Sequence, residues 1–348
     1  MRSNRRRSRG TKRRLLFGAA GVASFMAVIF LIPSILVNRI EAWEPSKLLP
    51  LQPQEPLVVQ EAQIMVPVYL TDRKETVSVP LEAYVRGVLA AEMPVEFELE
   101  ALKAQAIAAR TYLARRLASG ETSGLPQDAE GALVTDTVAH QAYATEEELR
   151  ERWGFFQYAR NIDKLTRAVN DTEGLVLTYE GEPIEATFFS TSNGFTEHSE
   201  LYWQAEIPYL RSVASPWDER YAPNYVREAS FEFKEFYAKM GLKASNKAPD
   251  LAVEQTSDSG RILSVRIAGK SFKGRDVREK LGLASTDFTW TTEEGRIVFR
   301  TEGYGHGVGM SQWGANGMAK EGSTAEDILL HYYSGVRLES LRNVLAKA

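Results

Sequence analysis

No cysteine occurs among the 348 residues. Disulfide frameworks, thiolate nucleophiles and Cys-ligated zinc are thereby excluded. No Gly-x-Gly-x-x-Gly stands at a strand-to-helix turn and no glycine loop ends in a phosphate-binding lysine, so a nucleotide site is not indicated. No Ser-His-Asp spacing announces a nucleophilic triad. Acids are missing from the first forty residues, although the chain holds 46 of them. That absence polarises the charge of the whole chain.

Residues 1–14 form a basic tail with eight cationic side chains, followed by an uncharged apolar run of 23 residues, 15–37. Such a run is long enough to span a hydrocarbon core of about 30 Å and longer than a typical signal-peptide core. The basic flank should stay cytoplasmic and the remainder lie outside. Ala19, Ala20, Ala23 and Ala27 fall within the run, not beyond it where a signal peptidase would cut, so a retained single-pass anchor is expected. Beyond residue 40 the chain carries 33 basic residues against 46 acids, a net −13 where the total is −4. An acidic exterior argues against nucleic acid and permits a neutral, polar substrate. Pro45, Pro50, Pro53 and Pro56 stiffen residues 38–58 into an extended stalk. Residues 59–348 remain as the folded part, ample for a full core.

Two alternating segments, residues 63–70 and 75–79, read as strands feeding a helix. In that helix Leu81, Tyr84, Val85, Val88 and Leu89 recur at helical spacing, and at about 100° per residue Glu92 falls near the middle of the same stripe. Pro80 suits a first turn, while Pro94 pushes Met93 out of the α region, so the helix stops beside Glu92. A carboxyl group so placed loses hydration and its pKa rises, as a general acid working near neutral pH requires. The same position also suits a buried glutamate held by an ion pair. A second helix spans residues 98–117, with Leu99, Leu102, Ala106, Ala109, Leu113 and Leu117 facing inward. Lys103 and Arg110 share one rim of its buried face, and Gln105 and Tyr112 the other.

The run AAEMPVEFELEALKAQAIAARTYL, residues 90–113, resembles the signature of the stage II sporulation protein D and amidase-enhancer family. The likeness extends from about residue 77 to the C-terminus. It implies that Glu92 is the catalytic acid of a peptidoglycan lytic transglycosylase, with Lys103, Gln105, Arg110 and Tyr112 positioning either that acid or the sugar. Some relatives carry a Cys and His metal cluster near residues 133–143. Here Val134 and Ala139 stand where the resemblance places those ligands and His140 alone cannot hold structural zinc, so neither metal nor cofactor is expected.

Residues 146–169 read as a helix with Trp153, Phe156 and Ala159 in the core. Residues 174–189 read as a hairpin turning at Glu180 and Gly181 and ending in Ser190-Thr-Ser-Asn-Gly194. That end is either an ordinary turn or, as the resemblance implies, a loop lining the substrate cleft, with Asn193 replacing a glycine. Ser190 and Ser192 alternate and can point to one side. Tyr202, Trp203 and Trp217 are candidate pyranose platforms or simply packing residues. Residues 225–302, with a helix at 231–240, hairpins at 251–267 and 288–301 and a short helix at 273–281, read as an inserted subdomain. The last motif, GYGHGVGMSQWGA at 303–315, places glycine at alternate positions, and His306, Ser311 and Gln312 supply polar contacts. It forms a glycan-contacting wall or tight packing under the site. A helix at 325–333 follows. The fold class is α+β: a single transmembrane helix, then a large extracytoplasmic α+β domain with an inserted β-hairpin-rich subdomain.

Glycoside hydrolysis normally uses two carboxylates, and no second acid stands out beside Glu92. A lytic transglycosylase needs one, because the C6 hydroxyl of N-acetylmuramic acid attacks its own C1. A rival of another class is a non-catalytic glycan-binding or amidase-activating module. The resemblance further implies peptidoglycan glycan strands as substrate and a mother-cell membrane location facing the intermembrane space. It implies two partners in engulfment, a membrane-anchored amidase (stage II sporulation protein P) and the polytopic stage II sporulation protein M.

Overall fold

A computed structural model describes residues 63–347. The expected basic tail, anchor and stalk lie outside these residues, and among the described residues no helix is long and apolar enough to cross a membrane. Helices and small sheets are mixed along the chain. Strands β1 (Met65–Leu70) and β2 (Glu75–Pro80) pair antiparallel, Met65 opposite Pro80, and β3 (Val134–Thr135) adds parallel to β1. From β2 the chain enters helix α1 (Leu81–Glu92), which buries Leu81, Tyr84, Val85, Val88 and Leu89 as the spacing requires. Met93 then turns extended, with φ −121° and ψ 143°, before Pro94. Helix α2 (Leu99–Ser119) ends on left-handed Gly120, and α3 (Glu146–Asn170) opens with a Thr145–Glu148 capping box. All three pack on one another, with α1, Leu102, Ile107, Leu113 and Leu165 in one hydrophobic core.

In three places the fold departs from expectation, the third being in the second cluster below. Helix α3 does not run unbroken: Gly154 sits at φ 64° and ψ 172°, which breaks the apolar stripe. Phe156, expected in the core, is 89% exposed beside Phe155 at 86%, Trp153 is half-buried, and Ala159 is exposed. The hairpin at 174–189 is also shorter than expected. After β4 (Leu175–Tyr179) only β5 (Glu182–Pro183) returns along it, and β6 (Phe188–Phe189) crosses to pair in parallel with Met310–Ser311.

Glycines of the last motif explain that crossing. A Cβ on Gly309 would lie 2.1 Å from the Thr187 carbonyl oxygen, one on Gly305 2.8 Å from the Phe189 Cβ, and one on Gly303 2.7 Å from the Thr191 oxygen. Residues 187–191 are therefore drawn against the motif and away from β4. Alternate glycine here serves close packing of chain on chain.

A second hydrophobic cluster is drawn from residues 231–299, with Phe236, Val265, Ile267, Val277, Ile297 and Phe299 fully buried. Both expected hairpins form it, Leu251–Thr256 with Ile262–Ile267 and Phe288–Glu293 with Arg296–Glu302. The expected helix at 231–240 begins only at Phe233, because Val226–Glu232 is a strand paired with Arg296–Glu302.

Gly309 combines a φ of 82° with the closest of these backbone approaches. Gly309→Ala should lower the unfolding free energy by more than about 2 kcal/mol, from left-handed strain and overpacking together. Denaturant titration measures it; an unchanged midpoint would mean that the two segments separate at no cost.

Candidate active site

Glu92 closes α1 and is half-buried. Its Oε1 accepts the Ala142 backbone N–H at 2.8 Å. Burial raises its pKa above the ordinary glutamate value and the Ala142 N–H partly opposes the rise; no neighbouring carboxylate or cation contributes. The acid is thus oriented by one neutral donor. Gly87 makes this possible: a Cβ there would lie 2.3 Å from the Tyr143 ring, so only glycine lets the loop holding Ala142 settle on α1. Tyr143 stacks on Tyr84 of α1 with centroids 5.2 Å apart. The neighbouring Gln141 is 2% exposed, and both side-chain amide atoms lack a protein partner.

The turn after Glu92 meets the last motif. Phe97 packs edge-on against Trp313 at 4.6 Å, and Asn316 Oδ1 accepts the Glu98 backbone N–H at 2.8 Å. Both partners lie on the helix Gln312–Lys320, whose N-cap is Ser311. Nothing in the sequence spacing singled out Phe97, Trp313, Asn316 or Ala142; Gly87 inside a helix was the one available signal.

The rim residues of α2 do not gather at Glu92. Arg110 is fully buried and forms a two-pronged ion pair with Glu82, Nε to Oε1 at 2.9 Å and a terminal nitrogen to Oε2 at 2.6 Å, and also donates to the Leu175 carbonyl. Glu82 is ten residues from Glu92, about 15 Å along the helix, so the expectation that Arg110 positions the acid is corrected. Lys103 is likewise engaged elsewhere, with Glu100 and Asp171 both at 2.9 Å. Tyr112 lies beside the Arg116 guanidinium, 5.9 Å from its ring centroid. Gln105 is fully buried and accepts the Gln312 side-chain amide at 3.4 Å, which brings two of the expected residues together.

Ser190 and Ser192 part company. Ser190 is half-buried, with its Oγ 3.1 Å from Thr191 Oγ1 and its carbonyl accepting the Trp313 N–H. Ser192 is fully buried, and its N–H and Oγ both donate to Asp218 at 2.8 Å. Ser311 and Ser215 donate to the same carboxylate. Ser192 and Ser311 therefore belong to an interior network centred on Asp218, not to an open cleft wall. Asp218 carries no sequence signal, being one more acid after Pro216 and Trp217. His306 is structural too. Its Nδ1 accepts the Val308 N–H and its Nε2 donates to the Phe188 carbonyl, each at 3.1 Å, which fixes one neutral tautomer. Burial and the nearby Arg278 push its pKa down to about 4. Its ring packs against Trp203 at 5.2 Å and Tyr202 at 5.8 Å, and the Tyr202 hydroxyl accepts from Arg278 at 3.1 Å. Among the described residues no group of His, Asp and Glu is arranged to hold a metal ion.

If Arg110 is scaffold, Glu82→Gln leaves a fully buried guanidinium without a counter-charge. The unfolding free energy should fall by about 3–5 kcal/mol, read by thermal or denaturant melting. Unchanged stability with altered reaction products would return Arg110 to the site.

The family model described as stage II sporulation protein matches residues 69–179. Stage II sporulation protein D of Bacillus amyloliquefaciens is 46% identical over 289 residues, 83% of each chain, and that of Bacillus subtilis (strain 168) is 45% identical over the same shares. The amidase enhancer of Bacillus subtilis is 27% identical over 308 residues, covering 73% of this chain and 40% of that protein. Likeness of this extent, spanning the acid-bearing helix and its neighbours, shows that the chain belongs to the stage II sporulation protein D family.

Proposed function

We propose that the chain is a peptidoglycan lytic transglycosylase in which Glu92 acts as acid and then as base. The observation that carries this reading is the state of Glu92: desolvated, raised in pKa, oriented by a single neutral N–H, and shifted by no second carboxylate. Protonated Glu92 gives its proton to the glycosidic oxygen between N-acetylmuramic acid and N-acetylglucosamine. The resulting carboxylate takes the proton of the C6 hydroxyl as that oxygen closes on C1. A 1,6-anhydro end results, and no water is consumed. A retaining or inverting hydrolase would need a second carboxylate within about 5–10 Å.

The relatives' names support a place in sporulation; a role in septal wall remodelling on strands stripped of stem peptides is part of what we propose. The expected partners, a membrane-anchored amidase (stage II sporulation protein P) and the polytopic stage II sporulation protein M, belong to the same proposal. So does the single-pass membrane location. The name of the amidase enhancer favours a second reading, a module that holds glycan for an amidase without cutting it.

Product analysis separates these. Digestion of peptide-free strands by the full chain should give ends about 18 Da lighter than hydrolytic ones, the mass of one water. A reducing sugar as the main product would mean that a general base activates water. Glu92→Gln should keep glycan binding and lose about 10²- to 10⁴-fold in cleavage rate; cleavage at the parent rate would leave the holding module.

The raised pKa also fixes the sign of two pH effects. Cleavage requires protonated Glu92 at the outset, so kcat/KM should fall as pH rises through a value above that of an ordinary glutamate. A folded-state pKa above the unfolded one means that stability from this group is complete below the unfolded value and is lost as pH rises through the folded one. Glu92→Gln should therefore equal or exceed the parent in melting temperature at neutral pH. A less stable variant at pH 7 would show the carboxylate to be a structural partner.

A further inference from the structure

Gly154 breaks α3 into two helical halves, and the second folds back along the first. The Arg150 guanidinium lies 4.3 Å from the Tyr158 ring centroid, although a straight helix would hold these residues about 12 Å apart. Arg86 of α1 reaches both open ends of the hairpin, Glu146 at 4.0 Å and Thr166 at 3.3 Å. Its closed end stands at the acid-bearing end of α1, where Arg152 donates to the Ala90 carbonyl at 3.4 Å. Phe155 and Phe156 occupy that tip and are almost fully exposed. From Phe155 onward Tyr158, Ala159, Ile162 and Thr166 recur at steps of three and four, which defines one helical face. A groove of about 700 Å³ runs along it. Tyr158 and Ile162 are half-buried against the core, while Phe155 and Ala159 are exposed.

Two bare phenylalanine rings leave roughly 300–400 Å² of apolar surface at the tip, as much as the largest patch on a typical monomer. The face is also self-complementary. With a second copy laid antiparallel about a two-fold axis between residues 160 and 161, Phe155 of one copy meets Thr166 of the other, Tyr158 meets Asp163, and Ala159 meets Ile162. The small side chain of Ala159 admits Ile162 near the axis, where the two helices need to approach to about 8–10 Å. Arg160 and Asp163 are exposed, and neither forms an ion pair among the described residues. In the antiparallel arrangement each Arg160 lies about 3 Å along the helix from the level of the other copy's Asp163, so the two charges pair twice. Counting both tips and the groove walls they face, about 1,000 Å² leaves water, the size at which a specific interface becomes stable. A saccharide would set hydroxyls against the apolar groove, and a bilayer would press Asp163 toward anionic headgroups. A second copy satisfies both the rings and the charges.

We propose that the chain self-associates through this helical hairpin as a two-fold dimer, Phe155 and Phe156 of each copy closing over the groove of the other. Two acid-bearing helix ends then belong to one assembly. The interface does not depend on what Glu92 does.

Sedimentation of the full chain in detergent micelles should give a dimer with a dissociation constant of about 10 μM or tighter. The double substitution Phe155→Ser and Phe156→Ser, and separately Ala159→Lys, should weaken it more than about tenfold at an unchanged melting temperature, because exposed side chains carry little of the fold. The chain has no cysteine, so Ala159→Cys places a single thiol near the axis. A short bis-maleimide should link it into a covalent dimer, whereas Lys243→Cys, exposed and outside the hairpin, should stay monomeric. A monomer throughout, a dimer untouched by Ala159→Lys, or equal linking at both thiols would each overturn the inference. So would a monomer in which a polarity-sensitive fluorophore on Ala159→Cys responds to N-acetylglucosamine oligomers or to phospholipid, a result that gives the face to glycan or to membrane.

Discussion

Close packing around one alanine-rich helix is the constraint on which the structure depends. In α2, Ala101, Ala104, Ala106, Ala108 and Ala109 are fully buried, and their small side chains let α1, α3, β4 and the C-terminal helices approach from several sides. Such a helix has little rim left to offer solvent. Its polar residues must be satisfied inside: Thr111 donates to the Ile107 carbonyl and accepts the Leu177 N–H, and Arg116 donates to the carbonyls of Leu133 and Ser123. Apart from the Thr111–Ile107 bond inside the helix, each ties a different segment to α2. The polar residues of the family signature in this helix therefore build the frame that holds the acid.

Separation of charge within α1 then becomes chemically meaningful. The N-terminal end is fixed by the Arg110–Glu82 pair, while at the C-terminal end the Glu92 carboxyl meets a backbone N–H and the Ala90 carbonyl accepts from Arg152. A guanidinium beside Glu92 would favour its ionised form and lower the pKa. With the cation held about 15 Å away, burial raises the pKa with only one weak opponent. The strong interaction secures the helix without weakening the acid.

Much of this was legible in the chain. Periodicity gave the inward face of α1, and Pro94 gave its end, because helix geometry and proline sterics act locally. The hairpins at 251–267 and 288–301 were equally plain. Periodicity failed where neighbours decide the outcome. The seven-residue spacing of Lys103 and Arg110 was real, yet both side chains found acids contributed by α1 and by the ends of α2 and α3. Phe156 carried the right spacing for a core residue until Gly154 adopted a positive φ. Pro183, just ahead of the returning strand, was a warning that β4 would be abandoned early, since proline donates nothing to a ladder. Asp218 could not have been found, because what distinguishes it is four donors arriving from residues 192, 215 and 311.

The glycine motif resolves along the same lines. Its two readings, a glycan wall and tight packing, compete only if the glycines themselves touch ligand. They touch Thr187, Phe189, Thr191 and, at Gly307, the Arg261 guanidinium. Their contribution to the site is thus indirect. By letting residues 187–191 lie against 303–309, they bring the following helix, with Trp313 and Asn316, onto the turn after Glu92. Through Gly307 they also admit Arg261 to the seam between the two hydrophobic clusters, where Tyr202 is clasped between Arg275 and Arg278. One stretch of small residues therefore sets both the surroundings of the acid and the seam that takes in Arg261, and a change in its packing would be felt at both.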